Sequence, residues 1–178
     1  TVLYAANCMT LSATSYTYDG KVKKPTVTVK DSKGKKISAS NSDSSYSGGR
    51  KTVGQYTVTV KFKNRYSGSM RKTFTIKPKG TSVSKVTAAK KGFKVTWKKQ
   101  ATQTTGYEVQ YSTASNFKKG NKTVTVSKNK TTSKSVSKLS AKKKYYVRVR
   151  TYKTVKVNGK NVKLYSGWSK AKSVTTKK

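Results

Sequence analysis

Residues Tyr145–Tyr152 read YYVRVRTY. In an extended chain successive side chains point to opposite sides, so this octet has two chemically distinct faces. Tyr145, Val147 and Val149 form an apolar face suited to a core. Tyr146, Arg148, Arg150 and Tyr152 form the other. The same period of two recurs outward along the chain. Gly54–Lys63 (GQYTVTVKFK) is the clearest strand, with Tyr56, Val58, Val60 and Phe62 on one face. Thr26–Lys30 (TVTVK), Arg71–Lys77 (RKTFTIK), Gly92–Lys98 (GFKVTWK) and Gly106–Tyr111 (GYEVQY) alternate likewise. Shorter strands are expected at Met9–Leu11, Tyr16–Tyr18, Lys36–Ala39, Val83–Ala88, Thr123–Val126, Ser133–Leu139, Lys163–Tyr165 and Trp168–Thr176. No stretch shows sustained 3.6-residue periodicity.

Turn chemistry separates these runs. Asp19-Gly20 and Asp31–Gly34 are turn sequences, and Asn158-Gly159 fits the positive-φ positions of a two-residue hairpin. Asn41–Gly49, rich in Ser, Asp and Gly, reads as a loop around Tyr46. Pro78 removes a backbone donor and Gly80 permits a change of direction. The chain is therefore expected to be all-β, with two tandem β-sandwich domains. Residues 1–78 form the first domain, 79–81 a linker and 82–178 the second.

Leu, Ile, Val and Phe make up 30 of 178 residues, about 17%. With high net charge, a share that low ordinarily signals disorder. Strict alternation with Thr and Lys overrides that signal here, and 12 tyrosines supply further buriable area.

The charge is extreme. Lys and Arg number 42 against four acids, for a net charge of +38. There is no histidine and one cysteine, Cys8. Acid–base catalysis needs His or a carboxylate at the reacting group, and the whole supply is Asp19, Asp31, Asp43 and Glu108. A His/Cys zinc site needs about four ligands. A calcium cage needs clustered acids, and these four are scattered. No cofactor or catalytic residue is expected, and the composition points to a binding or structural protein. No apolar run approaches the roughly 20 residues of a membrane span. No segment carries the regions of a secretory signal, so the sequence reads as a mature or excised piece of a longer protein, acting as a monomeric module.

The second half resembles a fibronectin type III domain. The resemblance rests on Trp97 on its second strand, on Gly106–Tyr111 as its third, and on Leu139 with Tyr145-x-Val147-x-Val149 as its sixth. It implies a corner in which the Tyr145 hydroxyl ties back to nearby backbone. Ser166-Gly167-Trp168-Ser169 is similar to an element found before the last strand of some members. The first half resembles a bacterial immunoglobulin-like repeat, through Tyr16–Lys21, Lys24–Val29, Val53–Val58, Tyr66-Ser67-Gly68 and Phe74–Pro78. It departs from that pattern at Asp43–Tyr46. Together the two imply an extracellular location, secreted or wall-associated, in a surface protein of Gram-positive gut Clostridia.

Only five of the basic residues are Arg: Arg50, Arg65, Arg71, Arg148 and Arg150. Sequence-specific nucleic-acid readers lean on bidentate Arg. A lysine-dominated surface instead attracts polyanions without specificity. The expected partners are therefore anionic cell-wall polymers such as teichoic acid, or anionic glycans. The alternative is a dedicated binder of a host surface protein, and nonspecific nucleic-acid binding ranks third. Against all of these stands a plain solubilising role for lysine at sheet edges.

The candidate face comprises Tyr146, Arg148, Arg150 and Tyr152, with Trp168 brought from a partner strand to stack between the guanidiniums. The run Lys142-Lys143-Lys144 is a candidate polyanion contact. Each feature has a bland counterpart: a stack that stiffens a hairpin, and a solvated turn. Glu108 is expected at the surface, and Cys8 as a half-buried structural thiol. Ser82–Lys85 and Ser135–Lys138 have serine–lysine nucleophile spacing but fall on strands, where i and i+3 face opposite sides. Asn121 and Asn129 match the glycosylation sequon, as chance allows in a Lys/Thr-rich chain.

Overall fold

The computed structural model describes residues 4–178, which fall into two compact units meeting at Lys77/Pro78. Both are all-β sandwiches.

Among the described residues the first unit has six strands: β1 (Ala6–Leu11), β2 (Ser15–Thr17), β3 (Val27–Asp31), β4 (Ser42–Tyr46), β5 (Gly54–Phe62) and β6 (Ser69–Lys77). β1 and β3 pair antiparallel in one layer, and the other layer runs β2-β6-β5-β4, with β2 parallel to β6. The alternation in β5 does what it promised: Val58 and Val60 are fully buried and Phe62 nearly so. They meet Met9, Val29, Ile37, Phe74 and Ile76 between the layers.

Two segments differ from expectation. The presumed loop around Tyr46 contains strand β4, registered from Ser42 opposite Phe62 to Tyr46 opposite Val58. It is an edge strand with one apolar side chain, so neither alternation nor propensity reveals it. Tyr46 anchors it, its hydroxyl donating to the Pro25 carbonyl at 2.8 Å. The weak strand at Lys36–Ala39 reduces to one bridge, Lys30 to Lys36, followed by a 3-10 turn at Ala39–Asn41. Cys8 is also corrected. It is exposed, because its neighbour Met9 takes the inward face of β1.

The second unit has eight strands: β7 (Val83–Ala89), β8 (Gly92–Trp97), β9 (Gly106–Ser112), β10 (Lys122–Val126), β11 (Ser133–Val136), β12 (Lys144–Val157), β13 (Lys160–Tyr165) and β14 (Lys172–Thr175). One sheet runs β10-β9-β12-β13, with β14 also on β12, and the other runs β11-β8-β7. Trp97, Phe93 and Val95 from β8 face Tyr107, Val109, Val147 and Val149. Trp97 and Tyr107 rings lie 5.3 Å apart. The tyrosine corner is present, with the Ser140 N–H donating to the Tyr145 hydroxyl at 3.3 Å. Asn158 and Gly159 have φ of 50° and 77°, the two-residue turn their sequence demands. Residues 79–81 are hydrogen-bonded into this unit: the Thr151 hydroxyl donates to the Lys79 carbonyl at 2.6 Å, and the Thr81 hydroxyl to that of Lys98.

Candidate functional site

The site forms along β12. One edge of this 14-residue strand pairs with β9 from Tyr146 to Tyr152. The other edge pairs with β14 over Lys144–Val147 and with β13 from Tyr152 onward. Between them Val149 and Thr151 would present unmatched backbone groups. The segment Ser166–Ser169, which is not a strand, fills this gap. The Ser166 N–H donates to the Thr151 carbonyl and the Ser169 N–H to that of Val149, at 3.0 and 2.8 Å. In return the Thr151 N–H donates to Ser166 Oγ at 2.9 Å and the Val149 N–H to Ser169 Oγ at 3.0 Å. Two serines spaced by three thus act as a surrogate strand, and Trp168 is held over β12.

Trp168 inserts between Arg148 and Arg150, whose guanidinium carbons lie 4.7 and 4.2 Å from its ring centroid. The stack continues at both ends. Phe117 covers Arg148 at 4.0 Å and Tyr165 covers Arg150 at 3.7 Å. Five groups therefore alternate ring and cation. Strand β9 fixes the edges of both guanidiniums. Arg148 Nε and Nη2 donate to Gln110 Oε1 at 2.8 and 2.5 Å, and Arg150 Nε and Nη2 donate to Glu108 Oε2 at 2.9 and 2.6 Å. These are directly opposed cross-strand pairs. Burial first, and then the charge of Arg150, pulls the Arg148 guanidinium below its ordinary value. Burial and the neighbouring Glu108 push the Tyr165 phenol up.

The structure brings together three of the five expected residues: Arg148, Arg150 and Trp168. Tyr152 is a correction. It is buried, because Gly106 opposite leaves room for its ring and Tyr165 packs on it at 6.2 Å. Glu108 is a second correction. It is 6% exposed, covered on the outer face of β9 by Arg150 and the surrounding stack. Phe117 escaped the sequence reading. It sits in a loop at positive φ (53°) with no periodic neighbour to flag it. Tyr146 is half-buried, with Lys144 Nζ 5.4 Å from its ring. Lys142, Lys143 and Lys144 are exposed. Thr176 fixes their backbone: its carbonyl accepts from Lys142 N–H at 3.1 Å, and its hydroxyl from Lys143 N–H at 3.0 Å.

The four carboxylates are all engaged. Asp19 pairs with Lys23 at 2.5 Å, Asp43 with Lys63 at 2.8 Å and Glu108 with Arg150. Asp31 Oδ1 accepts the N–H groups of Lys33 and Lys35 at 2.9 and 3.0 Å.

Residues 76–165 match the fibronectin type III domain, half of the chain. The chain belongs to the fibronectin type III family. Fibronectin type III domains are common as extracellular spacer and adhesion modules and are typically non-catalytic. Comparison with curated proteins finds no match. Similar solved structures include domains FN1–FN3 of chicken CNTN1, at 20% identity and a TM-score of 0.45, covering 71% of this chain and 44% of that one. Titin domains A168–A170 are similar at 17% identity and a TM-score of 0.37, covering 93% and 62%. The chain thus spans less than two thirds of either. No helix among the described residues is long and apolar enough to cross a membrane.

Proposed function

We propose that the chain is a non-catalytic adhesion and spacer module of a secreted or wall-associated Gram-positive protein. In this reading an immunoglobulin-like repeat (1–78) and a fibronectin type III domain (82–178), joined at 79–81, hold neighbouring domains against an anionic surface. The attraction is electrostatic and directed at wall polymers such as teichoic acid, or at anionic glycans. One observation carries it. Forty-two basic residues face four carboxylates, of which three are paired with a cation and the fourth, Asp31, is fixed through one oxygen by backbone N–H groups. The lysine charge is therefore left for a partner to neutralise. In this reading the lysines carry the attraction more than the arginine stack, where both guanidiniums lie against rings and their Nε and Nη2 groups are bonded within the fold.

The test is retention of the full chain on immobilised teichoic acid. Binding at low salt with elution by roughly 0.3 M NaCl is expected. Absence of retention at low salt overturns the reading. One-to-one binding to a host protein that persists at that salt favours the receptor alternative.

A further inference from the structure

A cavity of about 510 Å³ opens in the first unit, beside the end of β3 and the turn between β5 and β6. We propose that it binds an acidic sugar ring, a carboxylated or sulfated hexose. The inference rests on the polyanion reading only for the sign of the ligand's charge. It adds a place and a shape.

Tyr4 and Tyr66 line the cavity as a tilted pair, ring centroids 5.9 Å apart. Tyr4 is 42% exposed, and neither hydroxyl has a hydrogen-bond partner among the described residues. Exposed aromatic rings offer an apolar face to the C–H surface of a sugar and a polar edge to its hydroxyls. Lys33, Lys35 and Arg65 supply positive charge, and none has a carboxylate partner among the described residues.

Asp31 is the most buried lining residue, 7% exposed. Both backbone donors that fix it use Oδ1, so Oδ2 remains as an acceptor. Asn64 donates its amide to Asn41 Oδ1 at 3.1 Å, which leaves the Asn64 carbonyl and the Asn41 amide for a ligand. A fixed carboxylate acceptor among cations suits a ring that carries both hydroxyl donors and an anion. It disfavours a phosphodiester backbone, which has few hydroxyls and is repelled by Asp31. A second cavity of about 540 Å³ shares Tyr66 and adds Lys61 and Arg71. An acidic oligosaccharide can thus continue past that ring.

The experiment titrates the full chain with a hyaluronan tetrasaccharide by calorimetry in roughly 0.3 M NaCl, where diffuse attraction is screened. One-site binding is expected, with neutral chitotetraose about tenfold weaker or worse. The exposed pair Lys33→Ala/Lys35→Ala, and separately Tyr4→Ala, should each weaken the tetrasaccharide by about tenfold. Neither change touches the core, so folding is retained. The variant Lys142→Ala/Lys143→Ala/Lys144→Ala should bind it unchanged. Equal loss in that triple variant, equal affinity for chitotetraose, or the same variant pattern with oligothymidylate overturns the site. So does absence of binding, and if the chain is still retained on teichoic acid at low salt the polyanion reading survives. Tetrasaccharide binding without such retention supports the site and removes the polyanion reading.

Discussion

Trp168 shows how one residue can be recognised for the right chemistry while its setting stays hidden. Alternation in YYVRVRTY places Arg148 and Arg150 on one face, and the indole between them follows. The caps Phe117 and Tyr165, and the buried Glu108, do not, because a stack of five groups from three parts of the chain has no local pattern. Trp168→Ala should destabilise the second unit by about 1–3 kcal/mol through lost ring and cation contacts. Denaturant unfolding followed by circular dichroism measures it, and a loss below about 0.5 kcal/mol would show the stack to be ornamental. Glu108→Ala should cost more, about 3 kcal/mol, since it leaves the Arg150 guanidinium partly buried without its counter-charge. Glu108→Gln, which keeps an acceptor, should cost less. The burial of Glu108 was invisible for a similar reason. Parity puts it opposite Tyr107, but whether that outer face is covered depends on Arg150, Tyr165 and Trp168, 42 to 60 positions away.

At the level of elements, the strands that alternate were legible and those that pair without alternating were not. β5, β8 and β12 bury mainly one side, so their periodicity is a record of the core, whereas β9 is covered on both sides and still alternates in sequence. β4 buries almost nothing and is held by register to β5 and by Tyr46, so its Ser and Asp residues read as loop. The glycine that opens β9 is constrained by contact instead of turn geometry. A Cβ at Gly106 would stand 2.1 Å from the Val126 carbonyl oxygen and 3.0 Å from the Tyr152 hydroxyl. Gly106→Ala must therefore part β10 from β9, and hydrogen exchange at Val124 and Val126 amides should rise selectively. Gly159→Ala, by contrast, costs only its positive φ, about 1 kcal/mol, and should leave those amides unchanged.

For the whole molecule, charge and burial set opposite trends with solution conditions. A net charge of +38 repels itself, so the melting temperature should rise between 20 mM and 500 mM NaCl, and a fall would contradict this. Both tryptophans, Trp97 and Trp168, lie in the second unit, so selectively excited tryptophan emission follows that unit alone. Burial raises the phenol pKa of Tyr111, Tyr152 and Tyr165. A group whose folded pKa is raised contributes its full stability below the unfolded value, about 10, and loses it as pH climbs past that point. In high salt, where lysine repulsion is muted, the denaturant midpoint of this unit should hold to about pH 10 and then decline. The serine pair beside β12 has a consequence at this scale too. Ser166 and Ser169 occupy the only N–H groups that β12 would otherwise offer between β13 and β14. Removing both hydroxyls would strip the Val149 and Thr151 N–H groups of their acceptors, while the carbonyls of the same two residues stay bonded to the Ser169 and Ser166 N–H groups. The same two side chains that seat the tryptophan thus complete the hydrogen bonding of a strand edge that no neighbouring strand covers there.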